Sequence, residues 1–392
     1  MSLSGPGVGK YPKLFEDGEI RGVKTRNRAV VSPLTRASAT EDGIVTDQMA
    51  EYYASYARGG WGLVMTEGVY IDLKYSQGYS FQPGIATDEQ RDSWRKVVDG
   101  VHAEGVPIFM QLFHCGAINQ GNRWVEGSIA PSVVTPKGEQ IPRYRGGAGG
   151  FQTPREITRD EMAEVVQSYA DAARRAIEVG FDGVEVHGAN GYLPDEFLTT
   201  YTNLRTDEYG GPVENRIRYH CEVMQAVRDA VPDKPVGVRI SQTKVNDFEY
   251  AWPGGNADAK VVFSSLSKTG IDFIDCSSHL GLAPIFGTEH SLSGLAREYS
   301  GLPVMANGKL AQPEHAEEAL TREEGDFVAI GKAALADYNW PRKIAAEEPV
   351  VPFNPGMTMP YATLDCYEDY WQANPTGIPA EPVAARDVTE GA

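Results

Sequence analysis

The chain has 392 residues, 41% of them hydrophobic and 23% charged, an ordinary balance for a globular protein that buries a large core. Its formal net charge of −18 at pH 7 opposes binding to polyanions, so nucleic acid and anionic membrane surfaces are poor partners. Four scattered cysteines, Cys115, Cys221, Cys276 and Cys366, form no CxxC pair. They suggest neither an iron–sulfur cluster nor a zinc site, and they fit a reducing, cytoplasmic setting. The N-terminal "MSLSGPGVGKYPKLFEDG" lacks an apolar signal core, and no apolar run has the length of a membrane span.

In chain order, eight short apolar runs read as strands buried on both faces. They are Arg28–Ser32, Leu63–Glu67, Pro107–Phe113, Gly183–His187, Val236–Ile240, Phe273–Cys276, Pro303–Ala306 and Phe327–Ile330. Helical patterns lie between them, at Met49–Arg58, Thr87–Ala103, Thr158–Glu178, Glu214–Ala230, Ala257–Thr269 and Pro313–Thr321. Thr87-Asp-Glu-Gln90 and Thr158-Arg-Asp-Glu161 have capping-box spacing, in which a threonine oxygen and the residue three places on satisfy orphan amides reciprocally. Met162, Val165, Val166, Tyr169, Ala172, Ala173, Ala176 and Ile177 then form an apolar stripe of helical period. This alternation predicts an α/β chain folded as a (β/α)8 TIM barrel, with a doubly wound parallel sheet as the alternative. The barrel spans residues 1–348 in this reading. Residues 116–156, rich in Gly and Pro, form an insertion after the third strand that caps the active-site end, and residues 349–392 form an extension wrapping the barrel.

Chemistry in such a barrel sits at the C-terminal ends of the strands. There the chain places Thr35, Gln111 and Arg239: a hydroxyl, a carboxamide and a fixed cation that match the carbonyl–NH–carbonyl edge of an isoalloxazine. Singly, each has a plainer reading as a cap, a loop residue or an arginine paired with a structural carboxylate such as Glu185. Gly308, Gly331 and Lys332 end the seventh and eighth strands, where barrels often bind phosphate; they read alternatively as turn glycines and a solvated lysine. His187 and Asn190 offer two donors to one substrate oxygen, and Tyr192 offers a phenolic proton. The plainer alternative is a hydrogen-bonded core histidine followed by a tight Asn190-Gly191 turn.

Taken together, "PLTR" (33–36), "TEG" (66–68), "QLFH" (111–114), "HGANGYLPDEFL" with "NLRTDEYGGPVENR" (187–216) and "VGVRIS" (236–241) resemble the old yellow enzyme family. The likeness runs from Tyr11 to about Tyr338 and includes threonine, not cysteine, at position 35, as in the classical branch. It implies an FMN-dependent ene-reductase that takes hydride from NADPH or NADH. Hydride then passes from flavin N5 to Cβ of an α,β-unsaturated carbonyl or nitro compound, with a proton from Tyr192 to Cα in a ping-pong cycle. It implies non-covalent FMN held by Pro33, Leu34, Thr35, Gly68, Gln111, His187, Arg239, Asn307, Gly308, Gly331 and Lys332, and substrate held by His187, Asn190, Tyr192 and Phe113. No metal is expected, and a monomer or homodimer is. Three positions depart from the usual pattern: Lys332 stands for arginine, Phe113 for tryptophan, and "MANGKLAQPE" (305–314) replaces a glycine-richer end of the seventh strand. Reduction of nitrate esters or nitroaromatics, a non-catalytic flavin-binding barrel, and a flavin-free lyase are the other readings.

Overall fold

A computed structural model describes residues 3–145 and 147–375. Its centre is a closed barrel of eight parallel strands. These are β1 (Ala29–Val31), β2 (Leu63–Tyr70), β3 (Ile108–Phe113), β4 (Gly183–His187), β5 (Val236–Ile240), β6 (Phe273–Cys276), β7 (Val304–Asn307) and β8 (Phe327–Ile330). They pair in chain order, and β8 returns to β1. The eight expected strands are all present. The second runs further than expected, to Tyr70, because an irregularity between Met65 and Gly68 lets it bend and continue beside β3.

The helices of the outer layer are α1 (Asp47–Arg58), α2 (Arg95–His102), α3 (Arg159–Val179), α4 (Arg218–Ala230), α5 (Asn256–Ser267), α6 (Leu292–Ser300), α7 (Pro313–Thr321) and α8 (Lys332–Ala336). Both expected capping boxes form, at Thr87 and Thr158. Two expected helices are broken: Asp88–Ser93 stops before α2 at Trp94, and Val213–Arg216 stops before α4 at Ile217. Sequence pattern missed α6, whose "LSGLAREYS" is weak in helix formers. Tertiary contacts hold it. The N–H and hydroxyl of its N-cap, Ser291, both donate to the buried carboxylate of Glu324, at 2.9 and 2.6 Å. A side chain at Gly294 would collide with that carboxylate.

Inside the barrel the period of two sorts residues into layers. The lower layer is apolar: Val30, Leu63, Met65, Phe109, Phe273, Met305, Phe327 and Ala329, closed from below by Ile20 of a small hairpin (Gly18–Ile20 with Val23–Thr25). Gly183 and Gly237 face inward where Phe109 and Phe273 need the space, since a Cβ at either would run into those rings. Two residues further along the same strands, the inward positions become Gln111, Glu185, Arg239, Asp275 and Asn307. Residues 376–392 of the expected C-terminal extension lie outside the described residues. Its nearer part packs on the outside, with Tyr367 donating to the carbonyl of Leu335 at 2.9 Å and the carbonyl of Thr363 accepting from Arg36 at 3.1 Å.

Candidate active site

A cavity of about 520 Å³ opens at the C-terminal ends of the strands, within the range of small-molecule sites. Every residue expected at the site lines it: Pro33, Leu34, Thr35, Gly68, Gln111, Phe113, His187, Asn190, Tyr192, Arg239, Asn307, Gly308, Gly331 and Lys332.

Its floor is set by strand register. Gln111 lies beside Glu185, His187 beside Arg239, and Arg239 beside Asp275. The Gln111 amide donates to Glu185 at 2.8 Å, which leaves its oxygen for a ligand. Arg239 reaches the hydroxyls of Ser32 and Ser277 only at 3.4 Å, and its Nε makes no hydrogen bond. The carboxylate that faces it is Asp275, at 3.3 Å, and not Glu185 as expected from sequence. The wall around Thr35 is pinned from behind. Glu67 accepts the N–H groups of Arg36 and Ala37, each at 2.9 Å, and holds Ala37 at φ 43°. The Arg36 guanidinium lies between the rings of Tyr52 and Tyr367, at 5.4 and 5.2 Å.

The opposite wall carries His187, Asn190 and Tyr192. The Nδ1 of His187 accepts the N–H of Ala189 at 3.4 Å, so its proton sits on Nε2. Burial, and then the charge of Arg239, push its pKa well below the usual value, so the ring is a neutral donor. Asn190 takes φ 63°, with its N–H donating to Ser241 at 2.8 Å and its carbonyl accepting from Val245 at 3.1 Å. The next amide, Gly191, donates to Asp195 at 2.7 Å, and Asp195 is paired at 2.7 Å with the buried ammonium of Lys244. Asn190-Gly191 is therefore a tight turn, as the plainer reading has it, and the turn also lies on the cavity wall. Tyr192 packs edge-on against His187 (4.8 Å, 78°) and Phe113 (4.5 Å, 68°). Burial raises its pKa, so the phenol keeps its proton.

Two tyrosines were not found from sequence. The hydroxyl of Tyr79 hydrogen-bonds that of Tyr192, and Tyr144 packs on Tyr79 at 4.9 Å. Both line the cavity. Tyr79 lies in the loop after β2 and Tyr144 in the 116–156 insertion, where no period or motif marks them. At the far end Gly308 has φ 120°, and a Cβ there would collide with the carbonyl of Ser278; Gly331 and Lys332 close the same end. The cavity suits a flat ring with hydrogen-bonding edges, joined to an anionic group near the ends of β7 and β8. Among the described residues no helix is long and apolar enough to cross a membrane, and no group of acidic, histidine and cysteine side chains could hold a metal ion.

The model of the NADH:flavin oxidoreductase / NADH oxidase family matches residues 13–350. A Leishmania infantum protein described as a probable flavin mononucleotide-dependent alkene reductase is 36% identical over 358 residues, 90% of this chain and 95% of that protein. The NADH oxidase of Thermoanaerobacter brockii is 32% identical over 345 residues; the match takes in 85% of this chain and 50% of the oxidase, so the chain spans about half the length of that relative. The structure of the old yellow enzyme homologue of Zymomonas mobilis aligns with a TM-score of 0.82 at 31% identity, covering 92% of this chain and 99% of the other. The chain belongs to the old yellow enzyme family, the FMN-dependent NAD(P)H:flavin oxidoreductases.

Proposed function

We propose that the protein reduces the activated C=C bond of α,β-unsaturated carbonyl or nitro compounds. The observation that carries this is one wall of the cavity: a neutral imidazole donor, a carboxamide and a protonated phenol, His187, Asn190 and Tyr192, rising beside Gln111 and Arg239. The residues fit FMN. Arg239 is a buried cation whose donors the protein only partly uses, Gln111 has a carbonyl to spare, and the Gly308 end has no room for a side chain. Bound FMN supplies the two-electron chemistry that joins NADPH or NADH to the substrate.

Pro33, Leu34, Thr35, Gly68 and Gln111 hold the ring edge in this reading, and Arg239 stabilises negative charge on its N1–C2 side. Asn307, Gly308, Gly331 and Lys332 hold the phosphate. His187 and Asn190 bind the substrate oxygen and stabilise the charge that develops on it, an interaction stronger in the transition state than in the ground state. Tyr192 gives its proton to Cα. Tyr79 then donates its hydroxyl to the Tyr192 oxygen, which lowers the cost of a buried phenolate. Phe113 shapes the substrate space beside Tyr192. Tyr144 of the insertion after β3 caps this site, the barrel up to residue 348 binds FMN, and residues 349–375 of the C-terminal extension pack on its outside. The partners are small molecules and a nicotinamide nucleotide, acting on a cytoplasmic monomer or homodimer.

The test is the visible spectrum of the purified, FMN-incubated protein under anaerobic conditions. The flavin bands should bleach with NADPH and return with 2-cyclohexenone. Bands that bleach and fail to return with either an enone or a nitroalkene would sink the proposal.

A further inference from the structure

The floor of the cavity holds more acid than it has cations. Glu185 on β4 and Asp275 on β6 point into the barrel from either side of Arg239 on β5, and both are fully buried. Of their four carboxylate oxygens, only Glu185 Oε1 has a hydrogen-bond donor, the amide of Gln111. Glu185 Oε2 and both oxygens of Asp275 have none. The groups against the pair are Gln111 from β3, which donates to Glu185, and Arg239 from β5, which faces Asp275; beside Arg239 stand His187 from β4 and the hydroxyls of Ser32 and Ser277. Arg239 is the one charged group among these, since His187 is neutral. Two ionised carboxylates and one guanidinium leave a net negative charge in a buried site, where like charges repel strongly. One proton on the pair makes the trio neutral.

Gln111 and Arg239 also line the cavity, so the trio is the underside of the ring site. Negative charge placed on the ring next to Arg239 competes with Asp275 for that guanidinium. We propose that Glu185 and Asp275 act as a proton-accepting pair that takes up one solvent proton when the bound flavin is reduced in alkaline solution, and so sets the pH dependence of the flavin potential there. This rests on the cofactor reading above. The balance is simple. The nicotinamide contributes a hydride, which is two electrons and one proton. One further proton comes from solvent and forms an O–H bond on Glu185 or Asp275, and nothing else is oxidised or reduced. Glu185 and Asp275 are positioning residues here, since they act on the ring through Gln111 and Arg239.

The pair is poised to change its protonation in the alkaline range. Burial, and then the charge of Asp275, raise the pKa of Glu185 to about 8, and burial raises that of Asp275. Below that range the pair already holds its proton in both redox states. Above it, reduction must draw the proton in.

The experiment is a spectroelectrochemical titration of the FMN-loaded protein from about pH 7 to about pH 10. Each proton taken up with two electrons lowers the potential by about 30 mV per pH unit. The wild-type slope should steepen from one proton per two electrons to two above about pH 8. Glu185→Gln and Asp275→Asn preserve shape and should each hold the slope at one proton across the range. A wild-type slope of one proton throughout, or variants that steepen as the wild type does, would overturn the inference while the flavin spectrum left the cofactor reading intact. A protein that takes up no FMN would overturn both. The two variants break the same pair, so either one that folds and holds FMN decides the matter.

Discussion

The lower and upper halves of the barrel interior are built from the same eight strands, yet they obey opposite rules. In the lower half Phe109, Phe273, Phe327, Leu63 and Met305 interdigitate, and glycines at 183 and 237 make way for the rings. Two residues further along, the strands turn Gln111, Glu185, Arg239 and Asp275 inward, with several buried polar atoms lacking partners. The lower half satisfies itself by packing. The upper half turns polar groups toward the cavity, which is how a binding site is distinguished from a core.

The sharpest way to break that contrast is to hollow out the lower layer. Phe109→Ala removes a buried ring that meets Phe273 at 5.7 Å. It should cost about 3–5 kcal/mol of unfolding free energy, measured by urea denaturation. The flavin spectrum of the folded fraction should stay unchanged, because no cavity-lining group is touched.

In the upper layer the equivalent deletion is chemical. Tyr192→Phe keeps the ring packed on Phe113 and His187 and removes only the hydroxyl. Enone reduction should slow by roughly 10²-fold or more, while flavin reduction by NADPH in stopped flow stays within about twofold of wild type. Equal slowing of both half-reactions would remove Tyr192 from its role. Tyr79→Phe should give a smaller loss in the same half-reaction, since it withdraws a hydrogen bond from the phenolate and no proton from the substrate.

How much of this contrast is legible in the sequence follows from the same geometry. Apolar runs of four to seven residues reveal the strands, and two threonine capping boxes reveal two helices, because those signals are local. His187, Asn190 and Tyr192 were legible because one strand end and one turn carry all three. Asp275 was not, because a single carboxylate in "FIDC" reads as a flaw in an apolar run until β5 is laid beside β6 and Arg239 faces it. Glu67 escaped for a similar reason. Its work is to accept two amides from a loop thirty residues away in sequence, a distance no local pattern spans. Tyr79 and Tyr144 come from loops without periodicity and meet only in the folded chain.

The two halves should also separate by pH. The flavin-free protein holds Glu67 and Glu185, whose pKa values burial raises to about 7 and about 8. A carboxyl that titrates higher folded than unfolded stabilises the fold at low pH, and that contribution is lost as pH rises through the folded value. Stability should therefore fall between about pH 5 and pH 8, and Glu185→Gln should flatten that decline. His114 and His220, lowered by burial to about 4, have the opposite sign. Their contribution is present above the unfolded value near 6.5 and disappears as pH falls toward 4. Thermal melts across this range should show Phe109→Ala shifted down uniformly and Glu185→Gln changed in shape.

The smallest expected effect lies at the outer end of the cavity, where neither rule is strict. Lys332 is exposed at the first position of α8, with its ammonium 5.8 Å from the Phe353 ring. As a point charge at a wet edge it attracts phosphate without the two-pronged geometry of arginine. Lys332→Ala should raise the FMN dissociation constant by about tenfold, the low end for a hydrogen bond to a charged group, and salt should shrink the difference. Lys332→Arg should tighten binding modestly. The ring environment reports on the same variants independently: flavin absorbance maxima should not move, because Gln111 and Arg239, the groups proposed to meet the ring, are unchanged. If Lys332→Ala leaves FMN binding unchanged at low salt, the phosphate is held by backbone amides around Gly308 and Gly331 alone. The lysine then marks the rim of the site, and its substitution for arginine has no bearing on cofactor retention.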